Sequence, residues 1–201
     1  MGIQSDVQVG FIADENAADP DRLVTAARPN TSATMATTTF LGGGARNVTV
    51  TTTGTGDNSK TCTITGTDVF GNAMTEVITS TGSAEAVAGA KLFLTVSGVE
   101  CSAQYAANIT VGSGSLCASA VAGGNRTRMK GYSIVSAGTA GLVDFYNGTP
   151  ENGTIIFKAQ TLGTDNTTID NTIPDEGILF GSGLTVGYTV ATVVLANIFF
   201  A

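Results

Sequence analysis

The stretch Lys60-Thr-Cys-Thr-Ile-Thr-Gly-Thr-Asp68 decides how this chain is read. Cys62 and Ile64 fall on one side of an extended segment, and Thr61, Thr63 and Thr65 on the other. That alternation is the mark of a half-buried antiparallel strand. The same style recurs on both sides of it. Asn47–Thr51, Thr75–Thr79, Leu92–Val96 and Asn108–Val111 are short β-branched runs, each followed by a turn. Thr fits such strands because its branched Cβ packs on a pleated surface. Gly and Asn mark the turns, as in Gly54–Asn58 and Asp68–Asn72.

From there the reading extends over 201 residues, enough for one large or two small domains. Five or six closely spaced strands over residues 46–116 predict a first small sandwich. Residues 117–127 read as a linker. Residues 128–201 predict a second unit, with Tyr132, Ile134, Val143, Phe145, Ile155 and Phe157 at alternating positions. Turns are expected at 148–153 and 173–178, and the apolar end Val193–Ala201 reads as a buried strand. Residues 1–45 predict an extended N-terminal arm that contacts another subunit: a strand with Val7, Val9 and Phe11 as candidate assembly contacts, a short segment begun by Asp19-Pro20, and a hinge at Leu41–Ala45. Ser83–Ala90 reads as a loop. The expected fold is thus all-β, with two small antiparallel β-sandwich-like units of immunoglobulin-like or jelly-roll-like type.

Composition narrows the chemistry. The chain has no His and no Trp, and charged residues make up 12% of it. Without His there is no His-dependent triad, no His-ligated zinc and no usual proton shuttle. Three cysteines, Cys62, Cys101 and Cys117, are too few for an all-thiolate zinc site and odd in number for a disulfide framework. Free thiols are expected. The adjacent carboxylates Asp14/Glu15 and Asp175/Glu176 would point to opposite faces of a strand, which is wrong for a glycosidase pair. Asp165, Asp170 and Asp175 do not follow the spacing of a calcium-binding helix–loop–helix. No cofactor and no metal are expected, and the reading is non-enzymatic.

The net charge of −7 disfavours general binding to a phosphate backbone, so no nucleic-acid partner is expected. No apolar run approaches a membrane span, and the first residues lack the basic start and apolar core of a signal peptide. Five of the sixteen acidic residues lie within the first 21. Arg126, Arg128 and Lys130 are spaced by two, so an extended backbone would turn them to one side. They are candidates for contact with an acidic neighbour, or for a charged edge that discourages strand pairing. Phe199 and Phe200 are consecutive, so one ring should face outward, and Phe200 is taken as the candidate assembly contact.

The order Asn47-Val-Thr-Val-Thr, Cys62-Thr-Ile-Thr-Gly-Thr-Asp68, a Gly71-Asn72 turn, Thr75-Glu-Val-Ile-Thr79 and Lys91-Leu-Phe-Leu-Thr-Val96 resembles a β-module of tailed-bacteriophage virion proteins. The bend Pro174, Gly177, Ile178, Phe180 before two closing strands is similar to phage particle proteins as well. The resemblance spans about residues 46–200. It implies a virion structural protein made in the bacterial host cytoplasm, decorating or cementing a capsid shell. Its partners would be the major capsid protein or other virion subunits, with homo-oligomers expected. The alternative is a tail fibre, tail adaptor or receptor-binding module contacting a cell-surface glycan.

Overall fold

A computed structural model describes residues 6–12, 17–82 and 84–201. The described residues are all-β, with fifteen strands and one 3-10 turn at Val190–Thr192. The chain divides into two compact units, one made of Asn16–Cys117 and the other of Met1–Glu15 with Ala118–Ala201.

The 16–117 unit contains β2 (Val24–Ala27), β3 (Ala45–Thr52), β4 (Thr61–Thr67), β5 (Ala73–Thr79), β6 (Ala86–Phe93), β7 (Thr95–Cys101) and the first part of β8 (Ile109–Ala122). β4 is the centre of a three-stranded antiparallel sheet, β5-β4-β7. A second sheet places β3 between β8 and β6, with β2 paired to β8. Val48, Val50, Ile109 and Val111 from this sheet share one core with Cys62, Ile64, Ile78, Val96 and Val99 from the other. That is a β-sandwich, and its inward residues are the alternate positions read from the sequence.

The return strand expected over Leu92–Val96 is broken instead. β6 ends at Phe93 in one sheet and β7 begins at Thr95 in the other. The crossing needs close backbone approach. A Cβ on Gly66 would run into the Thr95 carbonyl, so glycine is required there. The expected loop over Ser83–Ala90 is also corrected, because Ala86–Ala90 opens β6. The carboxylate of Glu76 on β5 fixes it by accepting from the amides of Ala90 at 2.7 Å and Lys91 at 3.3 Å.

The other unit holds β1 (Gln8–Ile12), the end of β8, β9 (Thr127–Ser136), β10 (Leu142–Asn147), β11 (Thr154–Gln160), β12 (Thr168–Thr172), β13 (Ile178–Phe180), β14 (Leu184–Thr189) and β15 (Val193–Phe200). β15 lies between β1 and β9, and β9 also pairs with β12 and β13. β10 lies between β11 and β14. Tyr132 of β9 meets Phe145 of β10 and Phe157 of β11, with ring centroids 5.4–5.8 Å apart in tilted geometry. These rings join the inner faces of the two sheets, in a spacing that aromatic pairs favour.

Two expected boundaries differ. Cys117–Ala122, read as linker, is the continuation of β8. The arm expected over residues 1–45 is divided between the units. Gln8–Ile12 pairs along its length with β15. Leu23, Val24 and Phe40 are buried in the core of the 16–117 unit. The Ala33 amide donates to Val99 O at 2.9 Å, and Arg28 Nε donates to Tyr105 O at 2.7 Å. A Thr- and Ala-rich segment has little apolar area of its own. Here it is held by backbone hydrogen bonds to the edge of a sheet, which leave no periodic signal. The Gly hinge is a tight turn, with Gly42 and Gly43 at φ +87° and +84°.

Candidate interaction surface

β1 begins from a sequence with no charge and no proline, Gln8-Val-Gly-Phe-Ile12. Its two faces differ. Ile12 is buried, and a Cβ on Gly10 would strike the side chain of Val121, so this face lies flat on its own unit. The opposite face carries Val7, Val9 and Phe11, which are 44%, 56% and 67% exposed. Among the described residues β1 has one strand neighbour, β15, with Gln8 opposite Phe200 and Phe11 opposite Asn197. The result is an apolar row on a sheet edge. Natural edge strands are usually protected by charge, proline or a bulge.

On the other side of β1, the side of Gln8 and Gly10, lies a concavity of about 300 Å³, lined by Gln8, Val121, Asn125, Arg126 and Phe200 among others. Phe200 is half-buried and Arg126 is exposed at the rim. Two residues chosen from sequence, Arg126 and Phe200, therefore border one hollow on the side of β1 opposite the exposed row. Phe200 pairs with Gln8 and shares that side, while Phe199, opposite Val9, is the ring on the row's side. Gln8 and Val121 were missed. The available signal for Val121 was Gly10, a glycine inside an apolar strand, which marks close approach of a neighbour.

Arg128 and Lys130 do something else. They sit on β9 and hold the Pro174–Gly177 turn. Arg128 Nη1 donates to Glu176 O at 3.3 Å, its Nε lies 3.7 Å from the Glu176 carboxylate, and Lys130 Nζ donates to Asp175 O at 3.2 Å. The Gly177 amide closes the turn on Pro174 O at 3.2 Å. Their spacing by two does set them on one side of the strand, but that side meets a turn of their own unit. Arg126, the third basic residue of the run, lines the hollow.

Of the carboxylates considered for chemistry, Asp14 and Glu15 lie outside the described residues, and Asp175 and Glu176 belong to this turn. Among the described residues no group of three or more His, Cys, Asp or Glu side chains converges as a metal site would require. None of their helices is long and apolar enough to cross a membrane.

The tyrosines bear on the glycan alternative. Tyr105, Tyr132 and Tyr188 are buried, and Tyr146 is half-buried. Burial pushes the Tyr146 hydroxyl above its usual pKa, and the nearby Asp144 and Glu151 carboxylates add to this.

Compared with known proteins, the chain matches no family model, no curated protein and no solved structure.

Proposed function

We propose that this chain is a non-enzymatic structural subunit of a tailed-bacteriophage particle, which binds neighbouring capsid subunits through the outer face of β1. The observation that carries this reading is the row of Val9 and Phe11 on an uncharged edge strand. An exposed Phe on such a strand carries a solvation cost that burial against a partner removes, about 1.5–3 kcal/mol for a fully covered side chain. The hollow on the other side of β1, with the exposed Arg126 in its lining, offers a second contact region with one charged group. A typical specific interface buries about 1,200–2,000 Å² in total, more than one strand face provides, so contacts to several neighbours are expected.

The capsid part of the reading draws on the resemblance of residues 46–200 to phage virion modules. The assembly reading is favoured over glycan binding by the burial of three of the four tyrosines, since sugar sites use exposed aromatic faces. The test is location. Particles purified from the source of this chain should carry it on the head shell when imaged at subunit resolution. Its presence only at the tail tip, together with glycan binding in solution, would overturn the capsid reading. Its absence from particles would overturn the virion reading.

A further inference from the structure

Cys62 and Cys101 face each other across β4 and β7 as direct register partners. Both side chains are buried, Cys62 fully and Cys101 with 8% exposure. Their sulfurs are 3.5 Å apart, and both thiols are free. The hydrogen bonds around the pair define its geometry. The Ser102 amide donates to Thr61 O at 2.9 Å, while the Cys101 amide turns away from β4 and donates to Thr31 O at 2.6 Å. The two cysteines thus occupy a non-hydrogen-bonded pair site. In such sites the Cα atoms are about 4.5 Å apart and the side chains are closest. A disulfide accepts Cα separations from about 4.4 Å upward. Closing the sulfurs to about 2.05 Å requires side-chain rotation and little else.

We propose that Cys62 and Cys101 form an oxidative modification site, in which a peroxide converts the two thiols into a cross-strand disulfide. The inference rests on this geometry alone and is independent of the assembly reading. In the first step the Cys62 thiolate attacks a peroxide oxygen. The O–O bond breaks, hydroxide leaves and takes up a proton as water, and Cys62 becomes a sulfenic acid. In the second step the Cys101 sulfur attacks Cys62 Sγ. The S–O bond breaks, and the leaving hydroxide takes the Cys101 proton as a second water. Two thiols and one hydrogen peroxide give one disulfide and two waters.

The surroundings favour Cys62 as the first nucleophile. Its sulfur is hydrogen-bonded to Cys101 and, at 3.2 Å, to the Tyr105 hydroxyl, which is in turn 3.0 Å from Ser80 Oγ. The hydrogen bond from Cys101, joined by that from Tyr105, holds the Cys62 thiol below its ordinary pKa despite burial. Cys101, the donor to that thiolate, is held well above the ordinary value. A small oxidant suits the site, because little of either sulfur is open to a bulky disulfide. Cys117, buried and outside the pair, is the internal control. The bridge would be open where thiols are kept reduced and closed in oxidising surroundings.

The test uses the folded full chain, reduced and then treated with dilute hydrogen peroxide. The thiol count after denaturation should fall from three to one. Peptide mapping without reductant should give one intramolecular Cys62–Cys101 link, and dithiothreitol should restore all three thiols. The bridge closes a loop of about 40 residues in the unfolded chain, so the unfolding constant should drop by roughly 10²-fold or more. Circular dichroism should be unchanged. Retention of all three thiols, a link to Cys117 or between chains, or sulfinic acid at Cys62 without a bridge would each overturn the proposal.

Discussion

The buried guanidinium of Arg46 donates to the carbonyl oxygen of Gly114 from both Nη2, at 2.6 Å, and Nε, at 3.2 Å. It joins β3 to β8 inside the 16–117 unit. The next residue repeats the theme on the other face. Asn47 Oδ1 accepts from the Leu116 amide at 3.0 Å, and its Nδ2 donates to Gly89 O at 3.2 Å. A Cβ on Gly114 would collide with the Asn47 amide, so the absence of a side chain at 114 makes room for this arrangement. Hydrogen bonds to charged groups are worth about 1.5–3 kcal/mol each, and an orphaned buried partner costs a similar amount.

Arg46→Ala is therefore expected to destabilise the 16–117 unit by about 3 kcal/mol or more. Arg46→Lys keeps the charge but loses the forked donors, and should fall between the two. Urea unfolding curves of the full chain give the comparison. An Arg46→Ala midpoint equal to wild type would refute the role assigned to the pair.

Asp57 carries a second buried polar anchor. Its Oδ1 accepts from Lys60 Nζ at 2.8 Å and from the Ala106 amide at 2.6 Å. Desolvation raises its pKa, but the Ala106 amide and the Lys60 ammonium outweigh this and hold it below the usual 3.8. A depressed folded-state pKa means that the stabilisation is present above the unfolded value near 3.8. It is lost as pH falls through the folded value. Asp57→Asn should cost about 1–3 kcal/mol at neutral pH and reduce the loss of stability on acidification below pH 3.8. Identical acid unfolding curves for variant and wild type would contradict this.

The opposite sign applies to Tyr105. Burial, together with its hydrogen bond to the Cys62 sulfur, raises its pKa well above 10.0. The folded state keeps its proton where the unfolded chain has lost it. Its stabilisation is therefore complete below pH 10 and declines as pH rises beyond that value. Tyr105→Phe removes this titration and should flatten the alkaline limb. It should also lower stability at pH 7 by about 1 kcal/mol, through loss of the hydroxyl bonds to Cys62 and Ser80.

The segment before β3 gives a further test of the fold. Leu23 is fully buried in the core of the 16–117 unit. Leu23→Ala should cost about 2–5 kcal/mol. Deletion of residues 17–40 should leave that unit unfolded by near-ultraviolet circular dichroism and protease resistance. A stable fold after the deletion would restore the picture of a dispensable arm.

The fold class was legible where side chains alternate. Thr61–Thr67 shows its faces directly, with Cys62 and Ile64 inward. The Asp68–Asn72 turn was legible because Asp68 Oδ1 caps the amides of Phe70 and Asn72, at 2.8 and 2.9 Å, a bond that its position and type announce. Leu94 was not legible. A change of sheet leaves the apolar pattern of Leu92–Val96 intact, and its cause is the close approach of Thr95 to Gly66, a residue far from it in sequence. Arg46 was hidden because its partner is a backbone carbonyl, which no side-chain pattern records. Arg128 and Lys130 show the converse. Their spacing was visible, but the turn that receives them is a tertiary neighbour.

Val9→Asp/Phe11→Asp is the most direct test of the claim that the outer face of β1 is an assembly surface. Both side chains point to solvent, so the free chain should keep its circular dichroism and its unfolding midpoint within about 0.5 kcal/mol. Wild-type and variant chains, differently labelled, are mixed in equal amounts with particles stripped of the native subunit. The amount of each retained on the particle is then counted. Loss of two apolar contacts and burial of two carboxylates should lower retention of the variant at least tenfold, the equivalent of about 1.4 kcal/mol or more. Equal retention of a folded variant would contradict the account.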